Sequence, residues 1–221
     1  MPSSREQARS LAEYGVRPHI GDVRDKESMR RGMRGAEGVF HTAAWDRLGS
    51  RDRATAEAVN VSGARNVLEL VRELHVPKAV ITSSVYVFGD TGGARAGESH
   101  RGRPLSLADR TRAEALHQVV LPMMRSGVPA VVALTGAVYG PGDDGDLSRT
   151  LRRYLLGRAP FAPTRTSASW VHVEDAAAGH LLAMEEGRPG ARYLLGGEDA
   201  TLLEAMRIAG RLVGKRRGPL P

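Results

Sequence analysis

Short apolar segments alternate with helical ones along the whole chain, and this alternation limits the fold more than any other feature. GVFHTAA (38–44), KAVITSS (78–84) and PAVVALTG (129–136) are apolar or small at nearly every position. Between them lie long helical segments, about 53–75 and 107–125, which Pro77 and Gly127 close. A strand that is apolar on both sides has both sides buried. Strands of this kind, separated by helices, predict a parallel sheet with helices on both faces, the doubly wound α/β class. In that class ligands bind beyond the carboxyl ends of the strands. Those ends are Gly21–Asp22, Thr42–Ala44, Thr82–Ser84 and Thr135–Ala137, all small or polar, as a groove for an extended ligand requires.

The remaining elements follow the same logic. VRPHIGD (16–22) reads as a short strand with its exit turn, and 26–34 as a helix stopped at Gly35. Ser3 and Ser4, with Glu6 and Gln7, predict a capped helix at the start of the chain. YGPGDDG (139–145) is a turn, followed by a helix over 147–156 and a proline-containing loop over 159–168. WVHV (170–173) is a strand, Asp175 is placed to cap a helix over 176–186, and RYLLGG (192–197) is a late strand. Thr201 and Glu204 have the spacing of a capping box for a helix over 202–213.

Composition removes several function classes. With 221 residues, 41% hydrophobic and 26% charged, the chain can build a sizeable core. No apolar run approaches the roughly 18 residues of a membrane span, and the first ten residues lack a signal-peptide core. A cytoplasmic protein is the expectation. There is no cysteine, so disulfides, thiolate catalysis and zinc–thiolate sites are excluded; no metal site is expected. The net charge of +7 raises nucleic acid as a partner, but the arginines are scattered, only GKRRG near the end is a cluster, and aromatics are 5%. Among the 32 basic residues only Lys26, Lys78 and Lys215 are lysines.

The order and spacing of several segments resemble the extended short-chain dehydrogenase/reductases, the NAD-dependent epimerase/dehydratase group. The segments are GDVRD (21–25), VFHTAA (39–44), NVSGARNVLELV (60–71), KAVITSSVYVFG (78–89), VYGPGD (138–143) and WVHVEDAAAGHLLAMEEGRPGARYLLGG (170–197). The last is most similar to the branch of dihydroflavonol-reductase-like proteins and hopanoid-associated sugar epimerases. The resemblance implies a Rossmann-like sheet, NAD or NADP as cofactor, and a small-molecule substrate, a sugar nucleotide or a similar alcohol or ketone.

It also implies site residues. Asp22 would accept a hydrogen bond from the adenine amino group, with Val23 packed on the ring. Thr42, Ala43 and Ala44 would line the dinucleotide, joined by Thr82, Ser83, Gly136 and Ala137. Asn60 would hydrogen-bond backbone inside the sheet, or serve as an ordinary helix-turn polar residue. Ser84, five residues before Gly89, matches the family's catalytic serine. Tyr86, Tyr139 and His172 would face the substrate, although core packing is a serious alternative for both tyrosines. His172 and Asp175 also read as loop-fixing and helix-capping residues.

Two departures accompany the resemblance. No glycine-rich phosphate loop precedes GDVRD, so the sheet is expected to lack its first βαβ unit, roughly 30 residues. The family's Tyr-x-x-x-Lys pair is replaced in ADRTRAEAL (108–116) by Ala108 and Arg112. Arg112 remains able to hold ribose hydroxyls, and Tyr86 is the one nearby phenol that could stand in for the lost acid. A missing general acid/base costs about 10² to 10⁴ in rate. The expected organisation is a partial dinucleotide-binding region over 1–137 and a partial substrate-side region, with a late strand and helix, over 138–221. A homodimer through helices 53–75 and 107–125 is the oligomeric expectation. Three readings stay open: an impaired enzyme, a non-catalytic nucleotide-sensing or interaction protein of the same fold, and a gene fragment. With strands missing from the sheet centre, VRPHIGD is expected either to pair beside GVFHTAA or to lie poorly packed at the edge.

Overall fold

The computed structural model describes residues 12–47, 49–97, 100–143, 145–158 and 166–214. The helix expected after Ser3 and Ser4, the loop residues 159–165 and the GKRRG cluster beyond Gly214 lie outside the described residues.

Four strands form one parallel sheet: β1 (Val39–His41), β2 (Ala79–Ser84), β3 (Ala130–Thr135) and β6 (Arg192–Leu195), in the spatial order β1-β2-β3-β6. Phe40 pairs with Val80, Ile81 with Val132 and Leu134 with Leu194. Alternate residues point to opposite faces. On one face Ala79, Ile81, Val132 and Leu134 pack against two long helices. On the other, Val80, Val131 and Ala133 pack against Ala183 and Met184 of α5 (Val173–Glu185). The sheet is thus covered on both sides, as its apolar strands require.

Both long helices contain a π-helical insert. α2 starts as Arg53–Glu57, passes through Ala58–Ser62 and continues as Gly63–Glu73. α3 starts as Leu107–Ala115, passes through Leu116–Val120 and continues as Leu121–Arg125. Leu68, Leu70, Leu116 and Val119 are fully buried beneath them. Each such side chain contributes about 1.5–3 kcal/mol of hydrophobic stabilisation. The short helix α1 (Lys26–Met33) buries Met29 and Met33 in the same core. Lys26 reaches Glu69 and Glu73 of α2, and Arg30 reaches Glu73.

The segment 16–22 forms no strand, and Val16 and Ile20 remain exposed. This corrects its reading as a strand. Its apolar residues fit a strand, but strand formation needs a partner, and among the described residues β1 pairs only with β2. GVFHTAA is extended over Val39–His41 only.

A second sheet joins β4 (Ala137–Tyr139), β5 (Ser167–His172) and β7 (Glu198–Thr201), parallel between β4 and β5 and antiparallel between β5 and β7. Its core is Ala137, Tyr154, Trp170, Leu202, Leu203 and Met206, with α4 (Asp146–Leu155) and α6 (Leu202–Leu212) packed over it. Gly136 links the two sheets where a Cβ would lie 2.1 Å from the Ser169 carbonyl oxygen, so only glycine fits. The capping box of α6 is formed: Thr201 accepts from Glu204 N–H, and the Glu204 carboxylate accepts from Thr201 N–H. Thr201→Ala is expected to cost about 1 kcal/mol, read as a lower urea midpoint with an unchanged slope; no change in midpoint would mean the cap is idle.

The loop after β2 has a tight base. Gly89 takes φ +84°, and a Cβ there would lie 2.2 Å from the Gly102 carbonyl carbon. Gly102 N–H donates to Phe88 O at 2.7 Å, and Asp90 N–H donates to Arg103 O at 3.2 Å.

Candidate active site

At the carboxyl ends of β1 and β2 the sheet and the two long helices leave a small cleft open to solvent. Its walls include His41, Ala43, Ala44, Asn60, Ser83 and Arg112, together with Thr82 and apolar residues of α2 and α3. Six residues anticipated from the sequence therefore meet here. Ala43 and Ala44 follow β1 after Thr42, and their small side chains leave the cleft open.

The loop after β1 is clamped by Asn60. Its Oδ1 accepts from Trp45 N–H at 2.8 Å, and its Nδ2 donates to Trp45 O at 3.2 Å and to Thr111 Oγ1 at 2.8 Å. Thr111 Oγ1 lies 3.1 Å from Leu107 O and 3.2 Å from Ala108 O, where its hydroxyl can donate. Asn60 thus binds backbone, but in the loop rather than in the sheet. The clamp seats the Trp45 indole against Ala56, Leu107 and Ala108. Ala108 is 1% exposed, so the position that the sequence resemblance matches to the family's tyrosine is covered by this cluster.

Asp46, next in the same loop, pairs with Arg112 at 2.9 Å. The Arg112 side chain is 16% exposed and Asp46 is 59% exposed. Burial is the main cause that pushes the Tyr86 phenol up to about 12, with Asp109 and Asp46 adding to it and Arg112 opposing. At neutral pH the phenol is therefore a hydrogen-bond donor and not a base.

The other anticipated residues serve the frame. Ser84 ends β2; its Oγ–H donates to Thr135 O at 3.2 Å and its oxygen accepts from Tyr86 N–H at 3.3 Å. The Thr82 hydroxyl faces α5, where His180 Nε2 lies 2.8 Å away. His180 Nδ1 lies 2.7 Å from the Ala176 carbonyl, which only accepts, so Nδ1 donates there and in the neutral ring Nε2 accepts a hydrogen bond from the Thr82 hydroxyl. Asp22 is paired with Arg24, whose side-chain hydrogen bonds hold its carboxyl below the usual carboxylate range. Val23 packs at Gly63, and its carbonyl accepts from Asn66. Thr42 is exposed beside the cleft, while Gly136 and Ala137 are buried at the sheet junction. Tyr139 sits edge-on between Trp170 and His172, at 6.3 and 5.4 Å. His172 is the N-cap of α5, where Asp175 was expected; Asp175 lies within the first turn.

His41 was not singled out from the sequence. It is 6% exposed, and burial pushes its imidazole down to about 4. The available signal was a histidine in an otherwise apolar strand, on the same face as Val39.

A parallel sheet covered by helices on both faces, with a cleft lined by small residues at the carboxyl ends of its strands, is the arrangement in which open α/β proteins bind ligands. The model of the NAD dependent epimerase/dehydratase family matches residues 2–196, and the chain belongs to that family. It is 32% identical over 217 residues to sterol demethylase protein B of Methylococcus capsulatus, covering 94% of this chain and 64% of that one. It is 31% identical over 215 residues to a putative dihydroflavonol 4-reductase of Synechocystis, covering 89% and 62%. The chain thus spans less than two-thirds of these relatives. Among solved structures, gox2253 superposes with a TM-score of 0.87 at 29% identity, covering 99% of this chain and 66% of that one. UDP-glucose 4-epimerase of Thermus thermophilus, in complex with NAD, superposes with a TM-score of 0.79 at 29% identity, covering 94% and 72%.

Proposed function

We propose that the chain binds NAD or NADP in the cleft at the carboxyl ends of β1 and β2 and, as it stands, turns over an alcohol or ketone poorly. The carrying observation is the cleft itself, walled by Ala43, Ala44, His41 and Arg112 at the strand ends. The small side chains at the strand ends support this reading, and Arg112, whose guanidinium has donors beyond those turned to Asp46, would bind ribose hydroxyls. Bound there, the nicotinamide would supply a hydride acceptor or donor. Ser84, at the end of β2, would orient the substrate oxygen once its hydroxyl turns from Thr135. Tyr86 would donate a hydrogen bond. It is too weak an acid to exchange a proton quickly at neutral pH, which supports low turnover. Sugar nucleotides are one substrate class, supported by likeness to the epimerase structure. Multi-ring alcohols or ketones are the other, supported by the two relatives named for a sterol and a dihydroflavonol.

A second reading, nucleotide binding without catalysis, is carried by Ala108 buried beneath Trp45. The test follows nicotinamide absorbance with sugar nucleotides and hydroxy-ketones. Turnover near an ordinary ~10 per second would overturn the proposed impairment. The double variant Ala108→Tyr, Arg112→Lys is expected to stay inactive. Forcing a phenol into this filled site costs about 1–3 kcal/mol, so its melting temperature should also fall.

A further inference from the structure

We propose that His41 is a binding residue for the cleft's ligand, seating a neutral hydrogen-bonding group, a hydroxyl or a carboxamide, of the bound nucleotide. This rests on the dinucleotide reading above and adds to it the residue and the kind of ligand atom involved. Among the described residues, no hydrogen bond or ion pair reaches the His41 ring, although the side chain is 94% buried by its 6% exposure. Among the described residues no enclosed side-chain nitrogen or oxygen lacks a partner, so the unpaired atoms of the His41 ring open onto the cleft. The neighbouring polar groups are spoken for: Asn60 holds Trp45 and Thr111, Arg112 holds Asp46, and the Thr82 hydroxyl faces His180. His41 lines the cleft with its hydrogen-bonding capacity unused.

The chemistry of the partner follows from the ring. A neutral imidazole has one donor and one acceptor. A phosphate would favour the charged ring, which burial opposes. A ribose hydroxyl or the nicotinamide carboxamide matches one or both of its atoms without charge.

The test uses the full chain, with the His41→Phe and His41→Gln variants, each checked for folding by its thermal melt. Titration with NADH and NADPH is expected to give roughly ten-fold weaker binding for His41→Phe. His41→Gln, which keeps a donor and an acceptor, should stay within about three-fold. In the unmodified chain, the ¹⁵N resonances of the His41 ring should move on binding. Shifts with nicotinamide mononucleotide but not with ADP-ribose assign the carboxamide; shifts with both assign a ribose hydroxyl. Equal affinity of all three chains with unmoved ring resonances would overturn the seat and leave the cleft assignment standing. Failure of the unmodified chain to bind either dinucleotide would overturn the cleft assignment and the seat with it. If His41→Phe does not fold, the ring resonances and His41→Gln decide.

Discussion

Asn60→Leu is expected to lower the stability of the chain by about 4 kcal/mol. The side chain is nearly isosteric, so little packing is lost, but three buried partners are stranded. These are the Trp45 N–H, the Trp45 carbonyl and the Thr111 hydroxyl. An unsatisfied buried group costs about 1–3 kcal/mol, and Thr111 keeps its contacts to Leu107 and Ala108, which moderates the sum. Urea denaturation measures the change directly. Asn60→Asp should fall between the two, because it keeps an acceptor for Trp45 N–H and loses the donor. A loss below about 1 kcal/mol for the leucine variant would mean that Trp45 and its loop are held by packing alone. The effect should extend to the site, since Asp46 follows Trp45 and Arg112 would lose its partner's position.

Acid should weaken the fold through His41. Its folded value is lowered to about 4 from 6.5. Between those values the unfolded chain takes up a proton that the folded chain refuses. Stability therefore falls as pH drops through this window and is fully retained above it. At pH 5 the contribution is about 2 kcal/mol, approaching about 3 kcal/mol near pH 4. Other groups also titrate there, so the informative quantity is a difference. Between pH 7 and pH 5 the unmodified chain should lose about 2 kcal/mol more than His41→Phe, measured by urea melts at each pH. Parallel losses would show that the imidazole is charged within the fold.

The sequence was readable where local chemistry decides the outcome. The Thr201–Glu204 box, the glycine stop at Gly35 and the apolar strands β2 and β3 all depend on neighbours close in sequence or on an unmistakable pattern. Where the partner is distant, the pattern was insufficient. Residues 16–22 have strand composition and no strand, because pairing is decided elsewhere in the chain. β7 is Glu-Asp-Ala-Thr, polar enough to pass for loop, and it exists through its ladder with β5. The π-helical inserts left no mark, since one extra residue per turn barely alters an apolar stripe. From the sequence His172 reads as fixing a loop, with Asp175 as the cap, because histidine is outside the usual capping set.

The candidate site was legible in part for the same reason. Ala43, Ala44, Ser83 and Arg112 were found through their motifs. Asn60 admitted two roles until its three partners could be seen. The covering of Ala108 by Trp45 joins residues 63 positions apart and could not be inferred from either segment alone. His41 had a readable signal, a lone polar residue on the inward side of an apolar strand, yet motif matching drew attention to its neighbours.

The narrow waist formed by Gly89 and Gly102 separates two design problems. Because the backbones meet there, with Gly102 donating to Phe88 and Asp90 to Arg103, the two ends of the loop are held together a few residues after Ser84 and Tyr86. Residues can be added, removed or exchanged between Thr91 and Arg101 at small entropic cost, while the two glycines themselves tolerate no side chain. A grafted peptide or affinity tag has a ready insertion point there.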